Sequence, residues 1–191
     1  MTTMYFIMLL SMFFWLFPPI RQYKTDLFWY FFILAISDPI SVGLSRAGIL
    51  SLLIGYAISG FILIFSLYGS YRKNWHVRAI LLILFIMLIP VFFMSSNYHY
   101  GIFITFHITI LFFFLWHSVN FIGVHSKLNI FTIMLVLYEL SLILKVVTLL
   151  SDVKAGVAFF FITDIFQMLI AVFFTIFKEN DSRLFINLKT I

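Results

Sequence analysis

Residues 130–150 read IFTIMLVLYELSLILKVVTLL, an apolar run preceded by Asn129 and followed by Ser151, Asp152 and Lys154. Its length falls in the roughly 17–25 residue range that a helix needs to cross the hydrocarbon core of a bilayer. The stretch therefore predicts a transmembrane helix over 130–150. Two charged residues, Glu139 and Lys145, sit inside it. On insertion scales each such residue costs about 2.5–3.5 kcal/mol at a helix centre, so both must face protein or water rather than lipid. Tyr138, Ser141, Lys145 and Thr148 recur at helical spacing and form one polar stripe, with Glu139 on its flank.

The same pattern extends in both directions. The chain of 191 residues is 64% hydrophobic and 10% charged, with 27 Phe and a mean hydropathy of +1.15. Apolar surface on that scale, spread along the whole length, excludes a water-soluble fold. Breaks at Pro, Gly, Asn and charge clusters divide the chain into segments 3–17, 27–44, 49–68, 79–94, 100–122, 130–150 and 157–177, followed by a short polar tail over 178–191. The expected fold is all-α, a polytopic membrane bundle of about seven helices forming one transmembrane domain over 1–191. The first segment lacks a basic leader and a small-residue cleavage site, so it is expected to stay as a helix. With no cysteine in the chain, disulfides and thiolate chemistry are excluded.

Basic residues set the expected orientation. Arg21, Lys24, Arg72, Lys73, Arg78, Lys127, Lys178, Arg183 and Lys189 fall on one side of such a bundle, and only Arg46 and Lys154 on the other. Basic flanks resist translocation, which predicts an outside N-terminus, a cytoplasmic C-terminus and an odd number of spans. The net charge of +5 then has anionic lipid headgroups as its expected partner, not nucleic acid. The expected location is the plasma (inner) membrane. Trp29, Tyr30, Tyr71, Trp75, Tyr98 and Tyr100 lie near segment ends and read as interfacial anchors.

Four charges fall inside spans: Asp38, Glu139, Lys145 and Asp164. Facing lipid they would together cost on the order of 10 kcal/mol, so one shared polar cluster is the economical arrangement. At about 1.5 Å of rise per residue, Asp38, His107, Lys145 and Asp164 come out about 7–11 Å below the outer surface. Glu139 and Gln167 lie deeper and are expected to meet. Three acids against one lysine leave an excess of negative charge, so a carboxyl is expected to hold a proton or a cation. Lys145 is expected to pair with Asp164, leaving Asp38 and Glu139 as the candidates for that role.

Pro39 removes a backbone donor and is expected to break or kink its helix, with Asp38 as an alternative cap for a short helix starting there. Ala47, Ser51, Gly55 and Ser59 recur every four residues and predict a small-residue packing face on one helix. His107 and His117 are about 15 Å apart along their helix, too far to share a metal, and His76, His99 and His125 fall in loops or interfaces. No metal or haem site, and no other cofactor, is expected.

The stretch Trp15-Leu16-Phe17-Pro18-Pro19-Ile20-Arg21-Gln22-Tyr23 faintly resembles the first proline-glutamine loop of PQ-loop and SWEET-type transporters, over about a dozen residues. Pro19 stands where the glutamine would, and segment 100–122 has no proline, so membership does not follow from the resemblance. No zinc-protease, nucleophile-elbow or phosphate-loop motif is present, and an enzyme is not expected. The leading expectation is a multi-pass protein with an outward-facing polar pocket, comprising Asp38, His107, Glu139, Lys145, Asp164 and Gln167. Such a pocket would bind or transport a small polar solute, cation or proton. The alternative is a sensory or scaffolding membrane subunit with a membrane or cytoplasmic protein partner, and a purely packing role for the cluster stays open.

Overall fold

A computed structural model describes residues 2–71, 86, 96–150 and 156–188. The helices are α1 (Thr2–Trp15), α2 (Pro18–Arg21), α3 (Phe28–Arg46), α4 (Leu52–Tyr71), α5 (Ser96–His125), α6 (Ile130–Leu150) and α7 (Gly156–Ile176). Among the described residues the fold is all-α apart from one small ribbon, formed by β1 (Lys127–Asn129) and β2 (Phe185–Asn187). Among the described residues, four helical stretches are long and apolar enough to cross a membrane: Phe28–Arg46, Tyr98–His125, Ile130–Thr148 and Ala158–Ile176. The expected segment 79–94 lies outside the described residues. So do Arg72, Lys73, Trp75, His76, Arg78, Lys154 and Lys189, and of Tyr71 only the backbone is described.

Each long helix packs on its neighbour in the order α3, α4, α5, α6, α7, and α1 closes the circuit by packing on both α7 and α3. Glycines on α4 allow close approach at two of these contacts. A Cβ on Gly55 of α4 would stand 2.7 Å from the Ser41 hydroxyl of α3, and one on Gly60 would stand 3.2 Å from the Phe106 ring of α5. The predicted small-residue face is only half realised on that helix. Gly55 and Ser59 belong to α4, whereas Ala47 and Ser51 are exposed in the connection before it, because α4 starts at Leu52. There the Ser51 hydroxyl accepts from the Ile54 N–H at 3.3 Å, which caps the helix start and ends the stripe.

Prolines behave differently from expectation. Pro18 and Pro19 do not simply end the first segment; they occupy the first turn of α2, where a missing N–H costs nothing. Pro39 does not break its helix, since α3 runs unbroken from Phe28 to Arg46 with Pro39 exposed inside it. The tail folds back over residues 182–187. A 3-10 turn at Ser182–Leu184 leads into β2, which pairs antiparallel with β1 so that Lys127 faces Asn187 and Asn129 faces Phe185. Asn129 then caps α6, its side-chain oxygen accepting from the Phe131 N–H at 2.9 Å.

The interior has two layers along the bundle axis. Toward the end that carries Arg21, Lys24, Lys127, Lys178 and Arg183, Phe31, Phe114, Phe131 and Phe174 fill the centre, none more than 2% exposed. Their rings interlock, with Phe31 and Phe131 centroids 4.8 and 4.9 Å from that of Phe174. Beyond this aromatic layer the buried side chains turn polar.

Candidate functional site

The polar layer is built from α3, α5, α6 and α7. Counting back at about 1.5 Å per residue, the C-terminal half of α6 and the N-terminal halves of α5 and α7 share one end of the bundle with the C-terminal half of α3. That antiparallel arrangement gathers Asp38, His107, Glu139, Ser141, Lys145, Asp164 and Gln167 away from the strongly basic end. All six of the expected binding candidates therefore lie in one region of the interior.

Glu139 is fully buried and completely engaged. One carboxylate oxygen accepts from the Tyr30 hydroxyl, and the other lies 2.7 Å from His107 Nδ1. His107 is itself 3% exposed and packs its ring against Phe103 at 4.2 Å between centroids. Glu139 thus does not meet Gln167 as expected; Gln167 donates instead to the Ser141 hydroxyl at 3.0 Å. Ser141 in turn donates to the Tyr138 carbonyl at 2.7 Å. Glu139 precedes Ser141 by two positions, which puts the two side chains on different faces of α6, Ser141 toward Gln167 of α7 and Glu139 toward Tyr30 of α3 and His107 of α5.

Tyr30 corrects a second expectation. It reads as an interfacial anchor, yet it is 1% exposed and reaches inward to Glu139. Its neighbour Trp29, one position before it and so about 100° around the helix, is 57% exposed. His99, expected in a loop or interface, lies buried in the first turn of α5.

Lys145 pairs with Asp164 as expected, Nζ to Oδ1 at 2.5 Å, with side-chain exposures of 18% and 6%. The ammonium also sits 3.9 Å from the Phe160 ring centroid, a cation–π contact that helps hold a charge in an apolar setting. Asp38 is half-buried and lies within electrostatic reach of Lys145, Asp164 and His107. Among the described residues its carboxylate receives no hydrogen bond. The site therefore divides into a sealed triad, Tyr30–Glu139–His107, and a more accessible group, Asp38 with Lys145 and Asp164.

Sequence reasoning passed over Tyr30 and Ser141 as site members, although their spacing carries a signal. Ser141 shares the stripe with Lys145, and Tyr30 lies eight residues before Asp38, a little over two turns away and about 80° around α3, within one broad stripe of that helix. Among the described residues no three His, Cys, Asp or Glu side chains converge on a metal position. No known protein family, curated protein or solved structure matches this chain.

Proposed function

We propose that this is a multi-pass membrane protein of seven spans that binds and moves a proton or small cation through the Asp38–Lys145–Asp164 group. The observation that carries the proposal is Asp38: a half-buried carboxylate without a hydrogen bond among the described residues, beside a Lys–Asp pair that a second acid can compete for. Ionisable groups inside a bundle are costly and mark ion or proton paths. The aromatic layer of Phe31, Phe114, Phe131 and Phe174 supports access from one side, since it fills the interior between the polar layer and the basic end.

The basic end supports a cytoplasmic C-terminus, hence an outside N-terminus and an outward-facing site, in a plasma (inner) membrane. In this orientation a proton or cation reaches Asp38 from outside and competes with Lys145 for Asp164. Release inward then requires the aromatic layer to open, as in alternating access between packed helices. Complete engagement of the buried Glu139 favours a second role for that part of the cluster, in which Tyr30 and His107 lock α3, α5 and α6 together.

Reconstitution into proteoliposomes tests the proposal. Imposed proton and monovalent cation gradients should drive flux that Asp38→Asn and Asp164→Asn abolish while the variants remain folded. Absence of flux across a broad panel of cations and small polar solutes, with and without a membrane potential, would reject transport. Ligand-dependent association with a cytoplasmic protein would then favour a sensory subunit.

A further inference from the structure

At the basic end, α2 and the turn after it fold back against the end of α7. The resulting open pocket of about 620 Å³ is lined by three cations, Arg21, Lys24 and Lys178, with no carboxylate in the lining. Of the nearby acids, Asp181 is held by Arg183 and Glu179 accepts from the Leu27 N–H, while Asp26 is exposed outside the lining. Thr25 and Thr175 also line the pocket, but their hydroxyls donate to the carbonyls of Gln22 and Ala171. Recognition in the pocket therefore rests on positive charge and the exposed Asn180 amide.

The rim is apolar and exposed. Ile20 is 74%, Tyr23 59% and Phe17 36% exposed, an arrangement suited to acyl chains rather than water. Lys24 lies in the turn after α2 that lines the pocket. Its φ is 66°, in the left-handed region where glycine is at ease and a lysine is strained.

We propose that this pocket binds the phosphate-bearing headgroup of an anionic phospholipid, the three cations holding the phosphate while Phe17, Ile20 and Tyr23 meet the acyl chains. Basic pockets at the cytoplasmic ends of transmembrane helices are suited to such headgroups. The site is separate from the polar layer, so its test stands whether or not the protein transports anything.

The full-length protein is reconstituted in phosphatidylcholine bilayers doped with phosphatidylglycerol, extracted in mild detergent, and its retained lipid measured by mass spectrometry. Phosphatidylglycerol should be enriched over its bulk fraction. Lys24→Gly and Lys178→Gln should each lower the enrichment, by roughly fivefold per cation removed. Lys127→Gln, at the same end but outside the pocket, should leave it unchanged. Lys24→Gly also relieves the left-handed strain, so its thermal stability should hold or rise while binding falls, which separates recognition from folding. An equal loss in Lys127→Gln would reduce the effect to diffuse surface charge and overturn the proposal, as would no loss in either pocket variant. Displacement of the retained lipid by inorganic phosphate alone would assign the pocket to a soluble phosphate and overturn the lipid assignment.

Discussion

His107 Nδ1 and Glu139 Oε2 stand 2.7 Å apart across the α5–α6 interface, with the glutamate wholly buried and its other oxygen taken by Tyr30. Removing one partner from a buried hydrogen-bonded network costs about 1–3 kcal/mol for each group left desolvated and unpaired. His107→Leu should therefore unfold at markedly lower denaturant or temperature in detergent. Tyr30→Phe, which deletes one hydrogen bond to the buried Glu139 carboxyl, should cost about 1–3 kcal/mol. In a double-mutant cycle the two losses should be non-additive, since both partners share Glu139. Additive losses would show that the triad does not act as a unit.

Gln22 is fully buried and ties the turn after α2 to the end of α7. Its side-chain amide donates to the carbonyls of Phe174 at 3.0 Å and Phe177 at 2.7 Å, and its oxygen accepts from the Glu179 N–H at 3.1 Å. The residue supplies partners that a helix end otherwise lacks. Gln22→Leu keeps the volume but leaves three backbone groups unpaired, each worth about 1–3 kcal/mol. The variant should lose several kcal/mol by the same scale, and hydrogen exchange should accelerate first at residues 177–179. Exchange that stays as slow as in the unaltered chain would mean that water replaces the amide.

Arg183 holds Asp181 through side-chain hydrogen bonds and its backbone N–H, pulling the carboxyl down to about 2. An unfolded aspartate titrates near pH 3.9. A carboxyl whose folded value is depressed stabilises the fold fully above the unfolded value, and that contribution is lost as pH falls through the folded one. The turn leading into β2 should thus be insensitive to pH down to about 4 and loosen between about 4 and 2. Amide exchange at Arg183 and Leu184 reports this directly. Asp181→Asn should remove the acid sensitivity, and high salt should weaken the contact at neutral pH because the pair is at the surface.

Much of this arrangement is legible in the sequence, and the failures share a cause. The run 130–150 coincides with α6, and the Lys145–Asp164 pair follows from depth and helix adjacency, two quantities that counting along the chain supplies. Counting does not supply rotation. The Glu139–Gln167 meeting fails because Glu139 turns toward α3 and α5, and Tyr30 is misread because position near a helix end does not say which way a side chain faces. The Pro39 break fails for another reason. A proline on an exposed face of α3 can leave the turns on either side intact, so the missing donor shortens the ladder without ending the helix. The turn at 22–25 and the β1–β2 ribbon depend on contacts between residues far apart in the chain, which no local pattern encodes.

The Lys145–Asp164 pair allows packing and transport to be separated in one series of variants. Asp164→Leu alone leaves a largely buried ammonium to the neighbouring Asp38 and should destabilise by less than the ~3–5 kcal/mol expected of Lys145→Met, which strands the Asp164 carboxylate beside a second acid. Combining them replaces the pair by apolar side chains of comparable volume, a change that is often neutral or stabilising. The double variant should therefore recover most of its thermal stability. If Asp38 and the pair carry protons or cations, flux in proteoliposomes should nevertheless stay abolished, because the exchanging groups are gone. Recovery of flux along with stability would show that the pair serves only to hold α6 against α7, and would leave Asp38 alone to account for any transport.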